Sequence, residues 1–127
     1  MKKPTIGYYD NGQKKFEIYH NDNVKLHRED GPAITRWYNN GQMQTKEYYI
    51  NGKLHRKDGP GYIYWFENGQ IQTEEYYINN KFHRENGPAT IYYNENGQIK
   101  YEEYFINGEK LDKFQLRKLK LEKLNLL

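Results

Sequence analysis

The chain has 127 residues, a net charge of +3, and neither cysteine nor serine. Those absences exclude a disulfide framework, a zinc-thiolate site and the commonest hydroxyl and thiol nucleophiles, and the length points to one domain. A mean hydropathy of -1.23 would approach that of a disordered chain if aromatic residues were scarce, but 14 Tyr, 5 Phe and 2 Trp supply apolar faces with polar tips, which suit a sheet wetted on one or both sides.

The first segment, Met1 to Tyr9, lacks an apolar run long enough for a signal peptide, and nowhere does the chain approach the roughly 20 apolar residues of a membrane span. The expectation is a soluble, cytoplasmic protein. From Asn11 onward the chain repeats itself. Asn-Gly-Gln begins at Asn11, Asn40, Asn68 and Asn96, and His-Arg-x-x-Gly-Pro begins at His27, His55 and His83, a period of 28 residues with one extra in the first interval. A fixed period in this range means one supersecondary unit stacked repeatedly. A surface of repeated copies suits binding, whereas catalysis needs unlike groups converging on one point.

In the unit from Gly59 to Lys81, Gly-Pro opens a run of β-favouring residues, Gly61 to Phe66, and Asn68-Gly69 carries the hairpin signal. A returning strand ends at a second turn, Asn79-Asn80, where the neighbouring copies have Asn51-Gly52 and Asn107-Gly108. The fold class is therefore mainly β: a single-layer, curved antiparallel sheet of four hairpins. Its strands are expected near 4–9, 13–20, 33–38, 43–50, 61–66, 71–78, 89–94 and 98–106. At about 4.8 Å between strands, each hairpin advances the sheet by roughly 10 Å.

A two-residue Asn-Gly turn places Ile34, Tyr38, Met43, Thr45, Glu47 and Tyr49 on one face, with Tyr64, Phe66, Ile71, Thr73, Glu75 and Tyr77 after them. Trp37, Trp65 and Tyr93 fall on the other with Ile50, Ile78 and Ile106. A bulge at Gln42, Gln70 or Gln98 would move one strand to the opposite face.

Residues 109–127 form a second segment after the repeat domain, 1–108. They carry Lys110, Lys113, Arg117, Lys118, Lys120 and Lys123 against Glu109, Asp112 and Glu122, which is the whole net charge of +3. Asp112 with Gln115 fits a capping box, and helix is expected from 112 to about 126. Its leucines fall all around the wheel. The helix serves either as a cap on the open edge of the last hairpin or as a partner contact.

The strings Tyr48 to Arg56 (Tyr-Tyr-Ile-Asn-Gly-Lys-Leu-His-Arg) and Tyr64 to Ile71 (Tyr-Trp-Phe-Glu-Asn-Gly-Gln-Ile) resemble the MORN-repeat variant of bacterial YwqK-family antitoxins. The His-Arg-Glu-Asp-Gly-Pro-Ala form at 27–33 looks like the longer repeat of phages and giant viruses. The resemblance covers about residues 6–108 and implies a curved sheet of hairpins with a binding role, toward proteins most often and phospholipid in some members. The chain departs from the usual unit in length and in having His-Arg where the shorter motif has His-Gly.

Three equivalent histidines at roughly 10 Å intervals do not converge on a metal whose ligands lie about 2 Å away. Glu47, Glu75 and Glu103 recur at the same interval, beyond the roughly 5–9.5 Å of a glycosidase pair. No metal, cofactor or catalysis is expected. Each His-Arg pair is read as fastening its own crossover loop, or as presenting Arg28, Arg56 and Arg84 to acidic groups of a partner. The remaining partner-binding candidates are Trp37, Trp65, Tyr93, Tyr49, Tyr77, Lys118 and Lys120. The expected function is a non-enzymatic protein-binding module, antitoxin-like or a viral inhibitor, that occludes its partner. The alternative is a nucleic-acid or anionic-membrane binder working through residues 110–123, and self-association is a further expectation.

Overall fold

The computed structural model describes residues 2–125. Its elements in chain order are β1 (Thr5–Tyr8), β2 (Lys14–Ile18), β3 (Ile34–Trp37), β4 (Met43–Glu47), β5 (Tyr49–Ile50), β6 (Lys53–Leu54), β7 (Tyr62–Trp65), β8 (Ile71–Glu75), β9 (Tyr77–Ile78), β10 (Lys81–Phe82), β11 (Thr90–Tyr93), β12 (Ile99–Glu103), β13 (Phe105–Ile106), β14 (Glu109–Lys110) and α1 (Lys113–Lys123). One eight-stranded sheet runs β1-β2-β3-β4-β7-β8-β11-β12, all antiparallel neighbours, and β5-β6, β9-β10 and β13-β14 are separate two-stranded ribbons. The accessible surface of 8493 Å² exceeds the roughly 7200 Å² expected for a compact chain of this mass. A thin sheet has little inside.

The hairpin turns differ from the two-residue count. In the second unit Tyr38 N–H donates to Gln42 O at 2.8 Å and Gly41 N–H to Tyr38 O at 3.0 Å, so the loop is Asn39-Asn40-Gly41. Only the glycine takes positive φ, at 86°, as in a type I turn followed by a left-handed residue. The extra loop residue shifts the register by one, and Trp37 lies opposite Met43. A bulge then leaves Gln44 without a partner and restores Arg36 opposite Thr45. The same shift separates Tyr64 from Trp65 and Tyr92 from Tyr93. The bulge falls two residues beyond the expected place, and Met43 and Ile71 move opposite Trp37 and Trp65.

The expected strand 43–50 is broken at Tyr48: its N–H continues the β4–β7 register to Gly61 O at 2.8 Å, but its carbonyl turns away and accepts from His55 N–H at 3.0 Å. Tyr76 does the same, with its N–H on Ala89 O and its carbonyl accepting from His83 N–H. Beyond each break the chain forms a ribbon around a two-residue turn in which both positions have positive φ, 48° and 81° at Asn51 and Gly52. Asn and Gly are the residues that tolerate this geometry. In the first unit, which carries the extra residue, the ribbon shrinks to a single bridge between His20 and Leu26.

Among the described residues only Ala33, Ala89, Ile34 and Ile91 are buried apolar side chains, and Thr35, Thr45, Thr73, Thr90 and Glu47 are buried beside them. Ala33 and Ala89, the two alanines of the chain, are both 0% exposed where the break to the ribbon crosses. Thr90 Oγ1 is buried without a hydrogen-bond partner. Because an orphan hydroxyl retains its desolvation cost, Thr90→Val should raise stability by about 1 kcal/mol. Thermal unfolding of the variant checks this, and a lower melting temperature refutes it.

Candidate partner-binding surface

The recurrent motifs are spent between neighbouring units. Each turn asparagine accepts from the N–H two residues on, as Asn40 Oδ1 does from Gln42 at 2.9 Å. Its amide then reaches the next turn: Asn11 donates to Asn39 O, Asn40 to Glu67 O and Asn68 to Glu95 O. Tyr9 and Tyr38 hydroxyls donate to Trp37 O and Trp65 O at 2.7 and 2.6 Å. At the ribbon end, His27, His55 and His83 each accept at Nδ1 from the next ribbon turn, Asn51, Asn79 and Asn107 N–H, all at 3.0 Å. The histidines thus fasten the following unit and not their own crossover. Among the described residues no group of His, Asp or Glu has the geometry to hold a metal.

The arginines do fasten their own loops. Arg28, Arg56 and Arg84 stack on Tyr19, Tyr48 and Tyr76 at 4.0–4.1 Å and donate to Pro32, Pro60 and Pro88 O at 3.1–3.3 Å. Arg28 also bonds Asp30 at 2.9 Å, which holds that carboxyl below its ordinary range. A Cβ on Gly59 or Gly87 would meet the guanidinium carbon at 2.9 Å. This close approach accounts for the glycine of His-Arg-x-x-Gly-Pro. Between successive crossover loops lie grooves of about 680 and 660 Å³, floored by Tyr48 with Ile50 and by Tyr76 with Ile78. Their rims mix Glu29, Asp30, Lys57, Asp58 and Glu85.

The sheet faces are chemically distinct. One carries Ile34, Arg36, Thr45, Glu47, Tyr62, Tyr64, Thr73, Glu75 and Tyr92 in register across four joints. Glu47 accepts from Arg36 Nη1 at 2.9 Å, from Thr45 Oγ1 at 3.1 Å and from Tyr49 at 3.4 Å. Glu75 accepts from Tyr77 at 3.1 Å and Tyr92 at 2.9 Å. Burial first, and then these carboxylates, push Tyr62 up to about 12 and raise Tyr49, Tyr77 and Tyr92.

The other face carries Thr35, Lys46, Ile63, Glu74 and Ile91, with half-buried Trp37, Trp65 and Tyr93 toward the hairpin turns. Tyr93 hydroxyl donates to Glu74, and Lys14 lies over the Trp37 ring at 5.8 Å. The aromatic candidates are therefore divided: Trp37, Trp65 and Tyr93 share one face, while Tyr49 and Tyr77 turn toward the glutamates of the opposite one. A flat partner meets one set or the other.

Helix α1 starts where another His-Arg loop would follow. Leu111 N–H donates to Tyr104 O as His55 N–H does to Tyr48 O, Asp112 and Gln115 form the capping box, and Lys120 sits 6.0 Å from the Tyr104 ring in the place of the stacked arginine. Lys123 donates to Asn86 O. Lys118 is exposed, no helical residue is buried, and β12 keeps its edge, with Ile99 54% and Tyr101 50% exposed. The helix lies at the crossover end of the last unit and leaves the strand edge uncovered. The expected helix end at 126 lies outside the described residues. Among the described residues no helix is long and apolar enough to cross a membrane.

The histidine staples escape sequence reasoning although a signal exists, since each His precedes its Asn partner by 24 residues in all three copies. No curated protein and no solved structure matches the chain. Residues 34–51, 62–79 and 89–107 match the MORN repeat variant. MORN repeats generally act as non-catalytic modules that bind proteins or membranes. The MORN repeat variant is thus found at three positions, the last three hairpins, each matched as far as its ribbon turn.

Proposed function

We propose that this chain is a non-enzymatic protein-binding module that works by covering a partner's surface. The observation that carries the reading is the row Trp37, Trp65 and Tyr93, one half-exposed aromatic residue per unit at equivalent positions of one face. Aromatic residues of this kind dominate binding hot spots. The grooves at the crossover end have rims of mixed sign, which suit a protein's polar surface better than a polyanion. The antitoxin-like form of occlusion rests on the resemblance of the 48–56 and 64–71 strings, and the viral-inhibitor form on that of the 27–33 string.

Retention of a source-cell protein by immobilised chain, compared among variants that keep the strand spectrum, tests the reading. Trp37→Ala and Trp65→Ala should weaken binding by about 2 kcal/mol each, whereas Lys118→Gln with Lys120→Gln chiefly slows association. The opposite order, with tight salt-sensitive binding of an oligonucleotide or anionic vesicles, overturns it in favour of the helix.

A further inference from the structure

The large apolar side chains left exposed among the described residues are not scattered. Ile6, Tyr8 and Val24 belong to the first unit, and Ile99, Tyr101, Phe114 and Leu124 to the last hairpin and its helix; the units between contribute none. Ile91, which occupies in the last hairpin the place of Ile6 in the first, is 8% exposed because β8 pairs beside it. Among the described residues nothing pairs outside β1 or β12.

The stitches between units are cut at the same two places. Gln13, Gln42 and Gln70 lie 3.2–3.4 Å from where a Cβ on Gly41, Gly69 and Gly97 would stand, but nothing lies within 4 Å at Gly12. Asn11, Asn40 and Asn68 donate to the following turn, whereas the side chain of Asn96 bonds only the Gln98 N–H of its own turn. Asn96 and Gln98 are the donor half of a joint, and Gly12 with the free carbonyl edge of its turn is the receiving half.

We propose that the two ends of the sheet are complementary halves of one interface and that a second copy of this chain docks with its β1 antiparallel to β12. The arrangement continues the joint between β8 and β11, in which Thr73, Glu74 and Glu75 face Tyr92, Ile91 and Thr90. Carried over by repeat equivalence, Tyr101 faces Gly7 of the second copy, Glu102 faces its Ile6 and Glu103 its Thr5. The joint covers Ile6 as the internal one covers Ile91, and it supplies partners for both unpaired backbone edges. Because the two halves are unlike, the interface is heterologous: every added copy presents a fresh end, and assembly grows by concentration.

Sedimentation over a concentration series tests this with two variants on opposite ends. Ile6→Lys disables the receiving end and Ile99→Lys the donor end, and each alone should weaken self-association at least tenfold. Mixing the two leaves one intact end of each kind, so the mixture should form a dimer and stop there. Asn96→Ala, at a side chain with no long-range bond, should weaken association with the strand spectrum unchanged even if a lysine variant misfolds. A wild-type chain that stays monomeric to about 1 mM, a mixture that remains monomeric, or association that survives all three substitutions overturns the proposal.

Discussion

Excision of residues 57–84, a whole 28-residue period, should leave a protein that still folds. The cut joins Arg56 to Glu85 and regenerates a His-Arg-Glu-Asn-Gly-Pro loop. The side-chain stitches that recur between hairpins link neighbouring units, and these recurrent ones have counterparts in the shortened chain: His55 meets Asn107 in place of Asn79, and β11 pairs with β4 as β7 did, while the bonds of Tyr93 to Glu74 and of Leu54 N–H to Asn80 are lost. Stability in such an array is close to a sum of unit and nearest-neighbour terms. The denaturant slope should fall by about a quarter, with the loss of one hairpin in four. Excision of 57–70, half a period, removes β7 and its turn but keeps β8, so that strand loses its hairpin partner and the next units lose their register. Circular dichroism and urea unfolding decide. A whole-period variant that is unfolded, or a half-period variant as stable as the parent, contradicts the nearest-neighbour account.

Alkali should unfold the protein steeply between about pH 10 and pH 12. Tyr62 is pushed up to about 12 by burial and then by Glu47 and Glu75, and Tyr38, Tyr77, Tyr92 and Tyr93 are raised too, in each case by burial first. An unfolded tyrosine ionises near 10. Below that value both states keep the proton and the contribution of these groups to stability is fully present. As pH rises the unfolded chain sheds protons that the folded chain retains, and the contribution is lost through the folded values. Phenolate absorbance should therefore rise together with the loss of strand signal, in one cooperative step. Titration of all tyrosines near 10 with the sheet intact contradicts this, and Tyr77→Phe should reduce the sensitivity.

The hairpins were legible in the sequence because Asn-Gly and Gly-Pro act locally, through backbone conformations few other residues adopt. The register in the body of each hairpin was legible by two cancelling departures. A three-residue loop moves Tyr38 opposite Gln42, and the unpaired Gln44 moves Arg36 back opposite Thr45. The ribbons were not legible as separate elements, since Tyr48-Tyr49-Ile50 is as β-favouring as the strand it leaves. The bond from His55 N–H to Tyr48 O marks the break. Likewise the helix carries a local capping signal at Asp112 and Gln115, but where it docks depends on Tyr104 and Asn86. The candidate side chains Trp37 and Tyr49 were assigned to opposite faces by alternation alone, and the structure keeps them apart.

The one irregular unit shows where this chain can absorb a change of length. Its surplus residue sits in the turn from Asn21 to Lys25, which Asn21 closes by accepting from Asn23 and Lys25 N–H at 2.9 and 3.1 Å, and β2 still meets β3 in the regular pairing. The turn stands off the main sheet, 75% exposed at Val24, which is held at φ 61° where a β-branched side chain is strained. A foreign peptide spliced between Asn23 and Val24 would relieve that constraint and leave every strand on its own face. The repeat scaffold thus carries a natural display port.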